Sequence, residues 1–327
     1  MPTDRRPRRG SLAFVPRKRA KRIYPRINNW PEIDEVIPLA FPGYKVGMTH
    51  IVAIDNRPGI TKGEEITMPV TVIETPPVFI WGIRFYKNGY RGAEEVVKDV
   101  FSEKLPKYID YKIPKPKKEL NKNIPENFDD LRFIAVTQPY LTNLPKKKPE
   151  IIEIPIGGKD AEEKLRFAEQ FIGKELTIKD VFKEGELVDT IGVTKGKGFQ
   201  GVIKRYGVKR LPHKTEKKRR KIGNLGPKIP RRVLPLVIPM PGQMGFHRRT
   251  ELNKWLLKIG EKGDEINRKG GWIKYGIVKN SWILLKGSVQ GPSKRMIIMR
   301  KAIRPDPRIP SVPPEIKEIN LESQQGK

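Results

Sequence analysis

The chain has 327 residues, of which 37% are apolar, and its 67 Lys and Arg against 37 Asp and Glu give a formal net charge of +30. This length and apolar content suffice for one large or two smaller folded domains, and the charge favours an acidic partner such as nucleic acid. The absence of cysteine excludes disulfides and thiolate metal sites, and no apolar run approaches the roughly 18 residues of a membrane span, so we expect a cytoplasmic protein with no membrane contact.

The first predicted element is a basic N-terminal arm, residues 1–34. Residues 1–26 contain ten Lys and Arg against Asp4 alone, and prolines recur through the arm without any period of a strand or a helix. A segment of this composition cannot pack on itself and is expected to order on a partner.

Strands are predicted next, because β-branched and aromatic runs are bounded by turn residues. The runs are residues 42–54, 69–74 and 78–86, and a Thr-Pro-Pro turn separates the second from the third. We assign residues 35–66 to a β-barrel core.

Residues 67–186 are interpreted as an α/β insertion. Residues 99–130 are rich in Lys and Pro with weak periodicity, whereas the apolar positions of residues 160–172 follow an approximate helical stripe. Residues 187–194 then predict a strand that leads back into the core.

The most unusual element is the central basic segment, residues 195–249, which carries seventeen Lys and Arg and one acid, Glu216. Together with residues 1–26 it accounts for +25 of the net charge in 81 residues, which leaves +5 for the other 246. A single charge run is often a solvated face, but two Arg-rich segments nearly free of acids favour an external polyanion, with RNA first.

After the central basic segment, short apolar strands spaced by glycine turns resume and complete the predicted barrel, residues 187–303. Predicted strands lie at 272–278, 282–285 and 296–300, and residues 304–327 are interpreted as a C-terminal tail. The central basic segment is therefore expected to be a long loop within the barrel, and a loop of that length is expected only where it has a function.

Residues 196–201 (GKGFQG) match the three-glycine dinucleotide-binding pattern after a predicted strand. That fingerprint requires a helix next and an acid about 20 residues further on. Residues 202–207 indicate extended or irregular chain instead, and the acid would be Glu216, which lies within KTEKKRRK. We expect no cofactor, and the glycines suit a backbone lying close to a phosphate chain.

No catalytic or metal-binding constellation is predicted. His50, His213 and His247 are far apart without metal-ligand spacing, and neither a phosphate-loop lysine nor a nucleophile elbow occurs. Each histidine is expected in a turn, in the core or at RNA, and the protein is not expected to be an enzyme.

Arginine pairs and aromatic rings in the central basic segment indicate how RNA would be bound. Three pairs of adjacent arginines offer forked donors that suit phosphate oxygens. Phe199, Tyr206 and Phe246 would either stack on unpaired bases or pack within the loop, and the sequence favours neither. Contacts are expected mainly with the RNA backbone, so affinity should fall steeply with salt.

Ordered strings along the whole chain are typical of one family. They are residues 7–12 (PRRGSL), 16–19 (PRKR), 43–50 (GYKVGMTH), 189–198 (DTIGVTKGKG), 242–243 (GQ), 245–254 (GFHRRTELNK), 286–289 (KGSV) and 291–292 (GP). On these residues the chain resembles the large-subunit ribosomal proteins of the universal large-subunit protein three family, in their archaeal and eukaryotic form.

The resemblance implies a mainly β fold: a translation-protein-type β-barrel with an α/β insertion and long basic extensions that enter ribosomal RNA. It implies a central extension that approaches the peptidyl transferase centre without taking part in the chemistry, and a role in early subunit assembly. Relatives carry a tryptophan at the tip of that extension, here residues 223–232, where this chain has Lys228; a phosphate contact by Lys228 is the replacement hypothesis.

The expected partners are large-subunit (23S) rRNA, neighbouring ribosomal proteins and translational GTPases that dock nearby, without homo-oligomers. The predicted rRNA-binding residues are Arg5, Arg6, Arg8, Arg9, Arg17, Lys18, Arg19, Lys21, Arg22, Lys195, Lys197, Lys204, Arg205, Lys209, Arg210, Lys214, Lys217, Lys218, Arg219, Arg220, Lys221, Lys228, Arg231, Arg232, Gln243, His247, Arg248 and Arg249.

Two alternatives remain open from the residues. A DNA-compacting or generic nucleic-acid protein would also neutralise a phosphate backbone, although no recognition-helix pattern or dimer heptad occurs. An RNA-modifying enzyme would use the glycines of residues 196–201 for a nucleotide cofactor.

Overall fold

The computed structural model describes residues 7–89, 93–113, 124–125, 127–226, 229, 233–234 and 237–322. The strands in these ranges are β1 (Ala40–Ile54), β2 (Glu65–Glu74), β3 (Val78–Asn88), β4 (Glu94–Phe101), β5 (Asp130–Val136), β6 (Ile151–Pro155), β7 (Glu175–Leu176), β8 (Leu187–Val193), β9 (Phe199–Gln200), β10 (Gly242–Gln243), β11 (Arg248–Gly260), β12 (Trp282–Lys286), β13 (Met296–Lys301) and β14 (Ile316–Ile319). The helices are α1 (Ala161–Phe171) and α2 (Val202–Tyr206), with single 3-10 turns at Leu12–Phe14, Ile109–Tyr111, Pro139–Leu141, Ile178–Asp180 and Gly263–Glu265.

Six strands form a closed ring. The seven-stranded sheet has the order β13-β8-β11-β12-β2-β1-β14, and β13 also pairs with β1. Strand β1 pairs antiparallel with β2, β13 and β14. Strand β14 stands at the end of the strand order with β1 as its neighbour, so it lies outside the ring. This connectivity agrees with a barrel built from short strands and glycine turns.

The strands of the ring contribute much of the main hydrophobic core, which continues into the insertion through residues such as Phe85 and Phe133. Strands β8, β12 and β13 are buried along nearly their whole length, and the largest fully buried side chains include Phe41, Trp255 and Trp282. Because the two tryptophans also carry a polar N–H, each needs an acceptor: Trp255 Nε1 donates to the carbonyl of Gly185 at 3.0 Å, and Trp282 Nε1 to that of Lys262 at 2.7 Å.

The insertion is a second sheet covered by a helix. Strands β4, β3, β5 and β6 pair in that order, and β7 pairs with β3. Helix α1 packs on β5 through aromatic contacts, with the rings of Phe167 and Phe171 at 6.4 and 6.2 Å from that of Phe133. The predicted fold class, mainly β with an α/β insertion, is confirmed.

Several predicted boundaries differ from the structure. The boundary at residue 66 falls inside β2, whose pairing with β1 and β12 keeps residues 67–74 in the seven-stranded sheet. The predicted C-terminal tail contributes β14, which pairs with β1. Residues 24–34 of the predicted arm contribute Tyr24, Ile27 and Trp30 to the margin of the core. Burial of these apolar side chains stabilises the segment although its sequence has no strand or helix period.

Two local predictions were wrong for identifiable reasons. Strand β4 was missed because its first four residues are exposed and half of its eight residues are charged, so that no apolar run marks it and its backbone pairing with β3 defines it. Residues 272–278 form a tight turn instead of a strand, with Trp272 bridged to Gly276 and a left-handed φ of 63° at Lys274. The buried rings of Trp272 and Tyr275 supply the apolar signal without extended chain.

The chain divides into two compact units. Unit 1 comprises residues 1–23 and 193–249, and unit 2 comprises residues 24–192 and 250–327. The seven-stranded sheet and the sheet of the insertion belong almost entirely to unit 2.

Candidate nucleic-acid interface

Unit 1 joins the two basic segments of the sequence. Its residues include 26 Lys and Arg and two acids, Asp4 and Glu216, so it carries +24 of the formal net charge of +30. The sequence predicted two basic elements with the same partner, and the structure shows that they fold together.

Backbone contacts bind the N-terminal arm to the end of the central basic segment. The N–H of Ala20 donates to the carbonyl of Phe246 at 2.8 Å. Arg249 Nη2 donates to the carbonyl of Phe14 at 3.2 Å, and its guanidinium lies 5.5 Å from the centre of the Phe14 ring. These contacts join residues more than 200 positions apart, so no local pattern could have predicted them.

A short ribbon organises the base of the central basic segment. Strands β9 and β10 pair antiparallel, and the N–H of Lys197 donates to the carbonyl of Met244 at 3.0 Å. Gly245 has a φ of +70°, and a Cβ there would stand 2.1 Å from the carbonyl oxygen of Lys195. Only glycine allows this approach without moving the backbone.

The aromatic residues divide between packing and exposure. The guanidinium of Arg17 lies 5.1 Å from the centre of the Tyr206 ring, and that of Arg19 lies 5.3 Å from the Phe246 ring. For these two rings the structure favours packing within unit 1, since cation–π contacts already use a ring face. Phe199 is 74% exposed and keeps its surface for an external contact.

Besides Arg249 and His247, three of the predicted RNA-binding side chains bond to protein backbone. Arg205 Nε and Nη1 donate to the carbonyls of Gln243 and Met240 at 3.1 and 2.8 Å, and Arg17 Nη2 donates to that of Ser11 at 2.8 Å. The Gln243 amide donates to a carbonyl two residues further on at 2.9 Å. Each arginine has five donors, so these bonds orient the guanidinium and leave further donors for phosphate.

His247 is a correction to the predicted set. It was expected at RNA, yet only 8% of it is exposed, and its Nδ1–H donates to the carbonyl of Lys18 at 2.7 Å. Its backbone N–H donates to Thr194 Oγ1 at 3.1 Å. Burial, assisted by neighbouring arginines, lowers its pKa, so the ring is neutral and fastens the arm to the central basic segment.

Most of the remaining predicted cations are exposed. They are Arg8, Lys18, Arg19, Lys21, Arg22, Lys195, Lys197, Lys204, Lys209, Arg210, Lys214, Lys217, Lys218, Arg220, Lys221 and Arg248, while Arg9 and Arg219 are half-buried. The one acid among the described residues of unit 1 is Glu216, whose carboxylate lies 3.8 Å from Lys217 Nζ with both side chains exposed. Solvent screening makes such a pair weak, so protein carboxylates leave most of this charge uncompensated.

A cationic cavity of about 360 Å³ lies where the arm meets the central basic segment. Its lining residues are Arg17, Thr194, Lys195, Lys197, Arg205, Gln243, Met244, Gly245, His247 and Arg249. Five of them are cationic and none is acidic. Burial, followed by repulsion from Arg17, lowers the pKa of Arg249; an anion in the cavity would relieve both effects.

The glycine motif at residues 196–201 differs from the prediction in one respect. A helix does follow it, α2, but it has only five residues and ends at Gly207, which has a left-handed φ of 63°. The strand before the helix, β9, pairs antiparallel with β10, whereas a dinucleotide fold needs a parallel βαβ unit. The geometry therefore does not fit the fingerprint.

No group of His, Asp or Glu in the described part of the chain could hold a metal ion. None of its helices is long and apolar enough to cross a membrane. Five predicted RNA-binding residues, Arg5, Arg6, Lys228, Arg231 and Arg232, lie outside the described residues.

Comparison with known proteins identifies the family. The model of the family described as ribosomal protein L3 matches residues 1–326. Proteins named large ribosomal subunit protein uL3 match from Methanocaldococcus jannaschii (51% identity, 98% of each chain) and Nanoarchaeum equitans (53% identity, 91% of this chain and 92% of the relative). One from Archaeoglobus fulgidus is 48% identical over 98% of this chain and 99% of its own. The basic, acid-depleted chain with its ring of strands therefore belongs to the ribosomal protein L3 family, whose members are structural components of the large ribosomal subunit.

Proposed function

We propose that this protein binds large-subunit rRNA mainly through unit 1. The observation that carries the proposal is the convergence of 26 Lys and Arg with two acids in one compact unit. Such a surface can bind many RNA phosphates, because each phosphate neutralises a cation where protein carboxylates are scarce, and binding releases the counterions condensed on the RNA. Membership of the family makes the protein a structural component of the ribosome and not an enzyme.

We further propose that the central basic segment reaches toward the peptidyl transferase centre and that the protein enters the large subunit early in assembly. Translational GTPases would then dock near unit 2. Two features support a deep position in RNA. The segment carries seventeen Lys and Arg against one acid, Glu216, and Gly198 and Gly201 have no described residue other than their chain neighbours within 4 Å of the position of a Cβ, which leaves room for close approach of an RNA backbone.

The test compares the full chain with a variant lacking residues 197–247 during large-subunit assembly. The full chain should co-sediment with large subunits and remain bound in a high-salt wash, whereas the variant should be lost or should yield defective particles. Residue-specific crosslinks from Phe199 should then reach rRNA. If the protein bound duplex DNA as tightly as large-subunit rRNA at moderate salt, the hypothesis of a generic nucleic-acid-binding protein would be favoured and the proposal would be rejected.

A further inference from the structure

A second aromatic and basic cluster lies in unit 2, within the insertion. We call it the tyrosine cluster, and it consists of Tyr108, Tyr111 and Tyr140 with the lysines beside them. The Tyr108 ring is stacked with Tyr111 at 5.7 Å and meets Tyr140 edge-on at 5.3 Å. Three rings so close together on a surface need an explanation, because apolar faces are usually covered.

The cluster is held in place by its backbone and one hydrogen bond. Tyr108 has a left-handed φ of 60° and precedes the 3-10 turn that carries Tyr111. The hydroxyl of Tyr140 donates to Gln138 Oε1 at 2.5 Å, and burial raises its pKa. Tyr140 is thus a fixed support, while 57% of Tyr111 and 36% of Tyr108 remain exposed.

The charges around the rings are mainly positive. Residues 104–113 contain three lysines and one acid, and residues 140–149 contain three lysines and no acid. Lys107 Nζ lies 5.8 Å from the Tyr140 ring, and Lys147 Nζ lies 5.7 Å from the Tyr108 ring. Both lysines are exposed, so their ammonium groups flank the rings and stay accessible.

Not every lysine of the cluster is available to a partner. Glu150, which is buried, binds Lys112 Nζ at 2.6 Å and Lys146 Nζ at 2.5 Å. These two lysines therefore neutralise the buried carboxylate and are not available to an outside partner. Lys107 and Lys147, with no ion pair among the described residues, are left to meet an outside anion.

We propose that the tyrosine cluster is a second RNA-binding surface, on which one unpaired base stacks against Tyr111 while Lys107 and Lys147 contact the flanking phosphates. Exposed rings with flanking cations are the arrangement by which proteins bind single-stranded RNA. An acidic protein segment could pair with the lysines but would cover the ring face of Tyr111 only if it also carried an aromatic or other planar side chain, whereas every nucleotide brings both a base and a phosphate. The inference rests on the proposed function only in taking RNA as the partner, since the surface lies outside unit 1.

The test is hydroxyl-radical footprinting of the full chain, free and bound to protein-free large-subunit rRNA, with oxidation measured by mass spectrometry. Tyr111 should lose reactivity on RNA binding and approach the level of Tyr275, which is 2% exposed. Continued oxidation of Tyr111 in the RNA complex overturns the inference. Protection that appears only in whole subunits also overturns it, in favour of a protein partner.

Matched variants test the stacking and the charge separately. Tyr111→Leu should weaken rRNA binding about 5- to 150-fold, the range for one stacked base, whereas Tyr111→Phe, which keeps the ring, should bind as the parent does. Lys147→Gln should lower the salt slope by about 0.7, and Lys62→Gln, an exposed lysine in another turn of unit 2, should not. Equal affinities for the Leu and Phe variants refute stacking.

The outcomes separate this inference from the proposed function. If the parent binds rRNA tightly with Tyr111 still reactive, the tyrosine cluster is not an RNA surface and unit 1 still is. If the parent fails to bind rRNA, the proposed function itself is wrong. Thermal unfolding of each variant should match the parent, because Tyr111 and Lys147 are exposed and lie outside both hydrophobic clusters.

Discussion

Neutralising the basic cluster at residues 217–221 should reduce the salt dependence of rRNA binding by an amount that the structure predicts. Lys217, Lys218, Arg220 and Lys221 are exposed, whereas Arg219 is half-buried and its Nε is buried without a hydrogen-bond partner. Four of the five cations are therefore free to reach phosphate. The slope of log K against log salt changes by about 0.7 per contact with single strands and about 0.9 with duplex.

Replacing these four with glutamine should therefore lower the slope by about 2.8 to 3.6. Between 50 and 200 mM salt, the parent's advantage in affinity should shrink about 50- to 150-fold. The assay is filter binding or fluorescence anisotropy of the full chain with a large-subunit rRNA fragment over a salt series.

The matched control removes four exposed lysines of unit 2, Lys62, Lys174, Lys183 and Lys269. It changes the net charge equally, so a general field effect would alter both slopes alike. An unchanged slope in the cluster variant would mean that the cluster faces solvent in the complex. Equal losses in both variants would mean that net charge, not local contact, sets the affinity.

Three further predictions concern stability. Deleting residues 197–247 should leave cooperative thermal unfolding of unit 2, because the main hydrophobic cluster of described residues includes none from that segment; a broad, non-cooperative transition would refute this. Asp189→Ala should cost about 3–5 kcal/mol by chemical denaturation, because Asp189 is fully buried and its Oδ2 binds Arg300 Nη2 at 2.8 Å, whereas Lys317→Ala, at an exposed pair with Glu65, should change little. Hydrogen bonds from Arg57 hold the pKa of Asp55 far below its usual range, so the Asp55→Asn variant should be less stable than the parent at neutral pH. That difference should begin to shrink as pH falls below about 4, where the unfolded-state carboxyl takes up its proton, and should be lost only below the much lower pKa of the folded state; a difference that does not shrink with falling pH would refute the ion-pair explanation.

Elements with strong local signals were predictable from sequence. The apolar runs of β1, β2 and β3, the stripe of α1 and the acid-free central basic segment each carry their cause within a few residues, through strand propensity, helical period or charge. Weakly apolar elements were not. Strand β4 forms because its backbone pairs with that of β3, which its own sequence does not indicate. Helix α2 was missed because its five residues are too few to show a helical period.

The sequence by itself determined that a basic, cysteine-free chain with little acid in two segments must meet a polyanion, because charge counts do not depend on folding. Tertiary structure alone decided that these segments share one unit, since the bonds from Ala20 to Phe246 and from His247 to Lys18 span more than 220 residues. It also decided which cations face outward and which are fastened to backbone carbonyls. Exposure and hydrogen-bond partners are properties of packed atoms, and a linear list of residues cannot contain them.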